Sequence, residues 1–223
     1  MNARKYLAEL VGTFMFMMVG YVSVANFGLA DPHVGGTLVV PFSFGLGLLA
    51  AIFAFGHVSG GHFNPAVTVA MILDKRTTPV DGVGYIVAQI IGAIGAAAVV
   101  LVTISKDAVA AGVTKPGTGI SDISALILEA IFTAIFLVVI LTTSKRSGAL
   151  AAIAIPLTLV AIHFAIANVT GSSVNPARSI GSALVGGDLT SLWIYLVGPT
   201  IGGIIGWGIF QAMERTEPAA PAA

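Results

Sequence analysis

Twice in this chain the tripeptide Asn-Pro-Ala occurs, as Asn64-Pro65-Ala66 and Asn175-Pro176-Ala177, each set in strongly apolar sequence. A polar residue directly before proline reads as an N-cap followed by the first helical position, where an N–H is unpaired anyway. Each motif therefore starts a helix. Polar or charged residues interrupt both helices after roughly ten positions, and ten residues at about 1.5 Å each cover only about half of a ~30 Å hydrocarbon core. Two half-length helices with polar N-termini, one in each half of the chain, predict a pore assembled at the membrane midplane.

Composition identifies the solvent as lipid. Hydrophobic residues make up 57% of the chain and charged ones 9%, with a mean hydropathy of +0.99, which excludes an ordinary soluble domain. Six stretches are long and apolar enough to span, at about 6–25, 38–55, 83–104, 123–143, 148–167 and 192–212, and four of them hold no Asp, Glu, Lys or Arg. The first follows Arg4 and Lys5, but its length and the lack of a small-x-small site predict a retained span rather than a cleaved leader. With the N-terminus inside, the inner segments hold Arg4, Lys5, Lys75, Arg76, Lys145, Arg146 and Arg215, against Lys106 and Lys115 outside. Seven against two satisfies the positive-inside rule and puts both termini in the cytoplasm of a cell (plasma) membrane protein. The Pro/Ala-rich tail, 214–223, is expected to be disordered. With no cysteine there are no disulfides, and the triplet Asn168-Val169-Thr170 lies too close to the second re-entrant segment to serve as a glycosylation site.

The two halves repeat each other. Glu9-x-x-x-Thr13 returns as Glu129-x-x-x-Thr133, an offset of 120 (129 − 9), and the Asn-Pro-Ala motifs return at 111 (175 − 64). Three spans per half is an odd number, so the second half enters the bilayer from the opposite face and the repeat is inverted. The expected fold is an all-α membrane protein, with six transmembrane helices plus two re-entrant half-helices whose N-termini meet near the centre. Residues 1–223 form one channel domain, with repeats at about 1–105 and 123–213 and a tail at 214–223.

The strings Gly56 to Thr68 (GHVSGGHFNPAVT) and Gly171 to Ser179 (GSSVNPARS) resemble the two signature loops of the aquaporin, or major intrinsic protein, family. The resemblance extends over essentially the whole chain: six spans, paired motifs, both repeated glutamates and Arg178. It implies homotetramers with one pore per subunit, and passive flow of water or small neutral solutes across the bilayer.

Chemistry at the expected midplane agrees. Each half-helix N-terminus carries about half a positive charge, and the amides of Asn64 and Asn175 can donate to a passing water. Water held so points its hydrogens away from both asparagines, which breaks a proton-conducting chain, and the family assigns them this role. Arg178 is the only Lys or Arg at membrane depth, either facing water or paired with Glu9 or Glu129. It sits about 5 Å outward of the midplane, while Phe44 and His163 lie roughly 9 Å and 7 Å below the outer edge. Ser172 is at most about 10 Å outward of Asn175. These four share one layer and match the family's aromatic/arginine filter. His163, Ser179 and Ala183 resemble the water-selective branch; Leu196 resembles glycerol channels, and Ser172 is smaller than the usual threonine or cysteine.

Glu9 and Glu129 are expected to accept hydrogen bonds from the re-entrant loops rather than relay protons. The carbonyls of Gly60, Gly61, His62, Phe63, Gly171 and Ser173 are expected to form an acceptor ladder for single-file water. His62 is expected to turn toward an inner vestibule, and His33 and His57 to be packing or surface groups. No catalytic set, metal set, cofactor motif or nucleic-acid-binding pattern emerges. The expected function is a water channel; the alternatives are a channel for glycerol or another small neutral solute, and a proton-coupled secondary transporter.

Overall fold

The computed structural model describes residues 3–28 and 34–214. Among the described residues, six helices are long and apolar enough to cross a membrane: α1 (Ala3–Phe27), α2 (Val34–Ser59), α4 (Pro79–Thr103), α6 (Asp122–Arg146), α7 (Gly148–Thr170) and α9 (Leu192–Glu214). Between them lie the short helices α3 (Pro65–Leu73), α5 (Lys106–Ala111) and α8 (Pro176–Gly186). Every long helix extends beyond its expected apolar stretch at one end at least, and α4 stops one residue short at the other. In lipid an unpaired backbone group is costly, so helical hydrogen bonding continues through flanking glycines and polar residues such as those at 56–59.

Local chemistry sets the ends. Asn64 and Asn175 cap α3 and α8 from extended backbone, each accepting from the N–H two residues on at 2.9 and 3.0 Å, with proline at the first helical position. Ser105 caps α5, a helix with no counterpart in the sequence-based reading. Glu214, placed in the expected disordered tail, is instead the last residue of α9 and pairs with Lys145. Arg215, the remaining tail and His33 lie outside the described residues.

Packing follows the inverted repeat. Helix α1 packs on α2 and α4 as α6 packs on α7 and α9, and the halves join along α2 and α7. Each half-helix docks chiefly on the third long helix of the opposite half, α3 on α9 and α8 on α4. Those contacts are backbone-close: a Cβ on Gly181 would lie 2.7 Å from the Ala93 carbonyl, and one on Gly203 would lie 2.9 Å from the Ala66 oxygen. Small residues let helices approach where no hydrophobic force acts between them. This crossing brings the N-termini of α3 and α8 together, because each is carried on the other half's scaffold.

Candidate functional site

Two short loops precede the half-helices, and their backbones repeat. Gly60, Gly61 and Phe63 have φ of 95°, 65° and 47°; Gly171, Ser172 and Val174 have 80°, 46° and 44°. Glycine takes this left-handed region freely, but a β-branched valine there is strained by about 1–3 kcal/mol. Two buried carboxylates hold the shape. Glu9 accepts from Ser59 Oγ (2.6 Å), the N–H groups of His62 (2.9 Å) and Phe63 (2.7 Å), and Gln89 Nε2 (2.8 Å). Glu129 accepts from Thr170 Oγ1 (2.7 Å) and the N–H groups of Ser173 (2.9 Å) and Val174 (2.7 Å). Tyrosines complete both supports, Tyr85 donating to the Ser59 carbonyl at 2.8 Å and Tyr195 to the Thr170 carbonyl at 2.6 Å. A carboxylate accepting several N–H bonds satisfies donors that an irregular loop at this depth cannot satisfy alone.

The asparagines do more than cap. Asn64 Nδ2 donates to the Val174 carbonyl at 2.7 Å, and Asn175 Nδ2 donates to the Phe63 carbonyl at 2.9 Å. Each amide thereby ties its own half-helix to the opposite loop. An amide nitrogen carries two protons, so one N–H of each remains after this bond. Half of their donor capacity holds the two repeats together, and the other half is left for the expected donation to a passing water. The residues of the expected carbonyl ladder fall into two groups. Gly60, Gly61, His62 and Ser173 line an internal cavity, whereas the Phe63 and Gly171 oxygens accept from Asn175 and Arg178. Val174, absent from the expected set, lines the cavity, and its offset of 111 from Phe63 is the signal that marks it (174 − 63).

That cavity has a volume of about 410 Å³ and contains both Asn64 and Asn175 on its wall. Apolar side chains such as Leu48, Ile52, Phe136 and Leu159 form most of the rest. His62 lines it, with Nδ1 3.1 Å from Thr68 Oγ1; His57, expected to be a packing or surface group, also lines it. A second cavity of about 250 Å³ is bordered by Thr37, Val40, Pro41, His163 and Asn168. On α2 the first stops at Leu48 and the second begins at Pro41; on α7 the first stops at Leu159 and the second begins at His163.

Phe44, between the two linings on α2, stacks on His163 at 4.8 Å between ring centroids with 28° between planes. The Arg178 guanidinium lies 5.4 Å from the Phe44 centroid. Its Nη1 donates to the Gly112 carbonyl at 2.7 Å and its Nη2 to the Gly171 carbonyl at 3.3 Å, so neither Glu9 nor Glu129 pairs with it. The ion-pair alternative is thus replaced by carbonyl ligation. Three buried polar atoms here have no protein partner: His163 Nε2, Ser172 Oγ and Arg178 Nε. His163 Nδ1 is 3.0 Å from the Leu159 carbonyl of its own helix, which leaves Nε2 as the free end. Buried polar atoms without partners are rare unless something passing supplies the bond. Of the four residues grouped by sequence reasoning, Phe44, His163 and Arg178 lie together, and Ser172 follows Gly171, whose carbonyl accepts from Arg178; Gly112, a backbone acceptor with no side chain to mark it, was missed.

Known proteins agree on the family. The major intrinsic protein family model matches residues 1–210. The chain is 42% identical over 225 residues to Aquaporin Z of Photorhabdus laumondii, covering 94% of this chain and 97% of that protein. It is 41% identical over 213 residues to a glycerol uptake facilitator protein-like 6 of Lactiplantibacillus plantarum, covering 91% and 94%. The fold is shared with the X-ray structure of the aquaglyceroporin from Plasmodium falciparum, at a TM-score of 0.84 and 24% identity over 93% of this chain and 95% of that one. The chain belongs to the major intrinsic protein family, whose members are membrane channels rather than enzymes.

Proposed function

We propose that this protein is a passive water channel, selective at the layer of Phe44, His163, Ser172 and Arg178 and at the paired asparagines. The observation that carries the reading is the cluster of residues between the two cavities. There an aromatic wall, Phe44 on His163, faces a guanidinium, and three unpartnered polar atoms remain to replace the hydration a water loses on entry. A small donor-rich passage serves water, which needs only donors and acceptors; glycerol also needs width and an apolar face for its carbon edge. The relatives' names include both Aquaporin Z and a glycerol facilitator-like protein, so the rival is a channel for glycerol or another small neutral solute. Leu196 favours that rival. A proton-coupled transporter is disfavoured, because the carboxylates of Glu9 and Glu129 are occupied by loop donors.

Beyond the pore centre and the filter, Gly60, Gly61, His62 and Ser173 supply acceptors along the inner path, with Phe63 and Gly171 tied into the scaffold. Glu9 and Glu129 support the loops. The chain acts as a single domain, 1–223, in a homotetramer in the cell membrane with both termini cytoplasmic. Paired water and glycerol permeabilities of proteoliposomes test the solute. The parent should pass water with little glycerol, and His163→Gly with Phe44→Ala should raise glycerol flux strongly while water changes modestly. A parent that already conducts glycerol as fast as the double variant gives the reading to the rival.

A further inference from the structure

The second half-helix is fastened from outside by a segment the pore reading does not use. Residues 112–117 follow α5 and cross the outer end of α8: Gly112 O accepts from Arg178, Val113 packs near Gly186, and Gly117 N donates to Val169 O at 2.8 Å. Between them Thr114, 3% exposed, places Oγ1 2.6 Å from Ser179 Oγ. Ser179 Oγ is in turn 2.7 Å from Ser173 Oγ, which donates to the Asn175 carbonyl at 2.9 Å.

Proton counting gives this chain a direction. A carbonyl only accepts, so the single Ser173 proton is spent on Asn175. Ser179 must then donate to Ser173, and Thr114 must donate to Ser179. Thr114 is the head of a one-way relay that ends on the capping residue of α8. The first half-helix has a matching relay with a different head. Gln89 Nε2 donates to Thr68 Oγ1 at 3.0 Å, and Thr68 Oγ1 to the Asn64 carbonyl at 3.1 Å. Thr68 and Ser179 are equivalent at the offset of 111 (179 − 68). One half is therefore anchored to a long membrane helix, α4, and the other to an outer connecting segment.

We infer that Thr114 is a positioning residue for the outer constriction: its hydroxyl locks the 112–117 segment to α8, and so fixes the Gly112 carbonyl against the Arg178 guanidinium. Arg178 and Ser179 are neighbours on α8, while Gly112 and Thr114 are two residues apart on the segment. Side chain and helix are thus held by the same short stretch, and loss of the Thr114 hydroxyl releases both. A guanidinium with a loosened acceptor samples wider positions. Glycerol permeation responds to that width far more than water permeation does.

This rests on the constriction proposed above, and one experiment separates the two. Parent, Thr114→Val, Thr114→Ser, Ser179→Ala and the Thr114→Val/Ser179→Ala pair are reconstituted, and the glycerol-to-water permeability ratio is measured by vesicle light scattering beside the thermal midpoint. Thr114→Val keeps the shape and removes the donor, and should raise the ratio by about fivefold, the factor one net hydrogen bond is worth. Thr114→Ser should stay at the parent ratio. The pair should equal Ser179→Ala alone, because both changes cut one chain. A Thr114→Val protein with a parental ratio and a lowered midpoint overturns the inference, as does Thr114→Ser behaving like Thr114→Val. Aggregation of both Thr114→Val and Ser179→Ala with Thr114→Ser intact also overturns it, since the relay would then be a folding requirement. A parent that passes no water defeats the constriction reading itself.

Discussion

Arg178 carries its charge among two carbonyl oxygens and an aromatic face, and no carboxylate forms an ion pair with it among the described residues. Carbonyl dipoles take up two of its N–H groups without cancelling its charge, so the field remains to act on whatever enters. At about 5 Å and an effective dielectric of about 20, a unit charge contributes roughly 3 kcal/mol against a cation. Arg178→Val should therefore raise proton or small-cation leak by about two orders of magnitude while water still passes, measured as conductance and osmotic flux of the same reconstituted protein. Unchanged conductance in folded protein would make Arg178 structural. Glu129 presents the opposite case, a charge fully used by its neighbours. Its two oxygens serve Thr170, Ser173 and Val174, and a glutamine offers one acceptor oxygen and turns an NH₂ toward a donor. Glu129→Gln should cost about 3 kcal/mol and lower the thermal midpoint in detergent. A well-folded variant whose flux has instead lost a pH dependence would revive the proton-relay reading.

At the scale of elements, the half-helices depend on glycine at their docking points. Gly181→Ala puts a methyl group 2.7 Å from the Ala93 backbone, where no rotamer change relieves it, and overpacking of this kind costs about 1–3 kcal/mol. Gly208→Ala is the control, since nothing lies within 4 Å of its added Cβ. The first should lower the thermal midpoint by several degrees and the second should leave it near the parent; equal midpoints would mean α8 does not bear on α4 as described. Those half-helices were legible because Asn-Pro is a local signal: cap, first turn and interruption all lie within one short stretch. The glutamates were legible through repetition, since Glu9 and Glu129 recur at matched places in two spans. What was hidden belongs to tertiary contact. Nothing in the tripeptide says that Asn64 reaches Val174 or that Asn175 reaches Phe63. Helix α5 is six residues long, too short to stand out from its flanking loop, and the Gly112 carbonyl it positions is identical in sequence terms to every other carbonyl.

For the whole molecule, the distribution of charge along the bundle bears on the proposed orientation. Arg76 joins the ends of three elements, pairing with Asp74, donating to Ser144 Oγ at 2.8 Å and lying over the Phe210 ring at 5.5 Å. Lys145 lies over the other approach to Phe210 and pairs with Glu214 at the same end. Tyr6, next to Lys5, donates to Asp81 at 2.8 Å and so brings the start of α1 to this end too. Lys106 and Lys115 lie at the opposite end, beside Gly187 and Gly171. The charges thus segregate in space as the sequence count requires, and the rule that basic loops stay inside predicts that the Arg76 end faces the cytoplasm. Because the chain has no cysteine, a single introduced thiol reports one position without background. Lys75→Cys leaves six inner cations against two outer, and Lys115→Cys leaves seven against one, so neither change reverses the bias. With a membrane-impermeant maleimide on intact cells, Cys at position 115 should label and Cys at position 75 should label only after permeabilisation. The reverse pattern would place the Arg178 layer on the cytoplasmic side, and water would meet the inner cavity first on entering from outside.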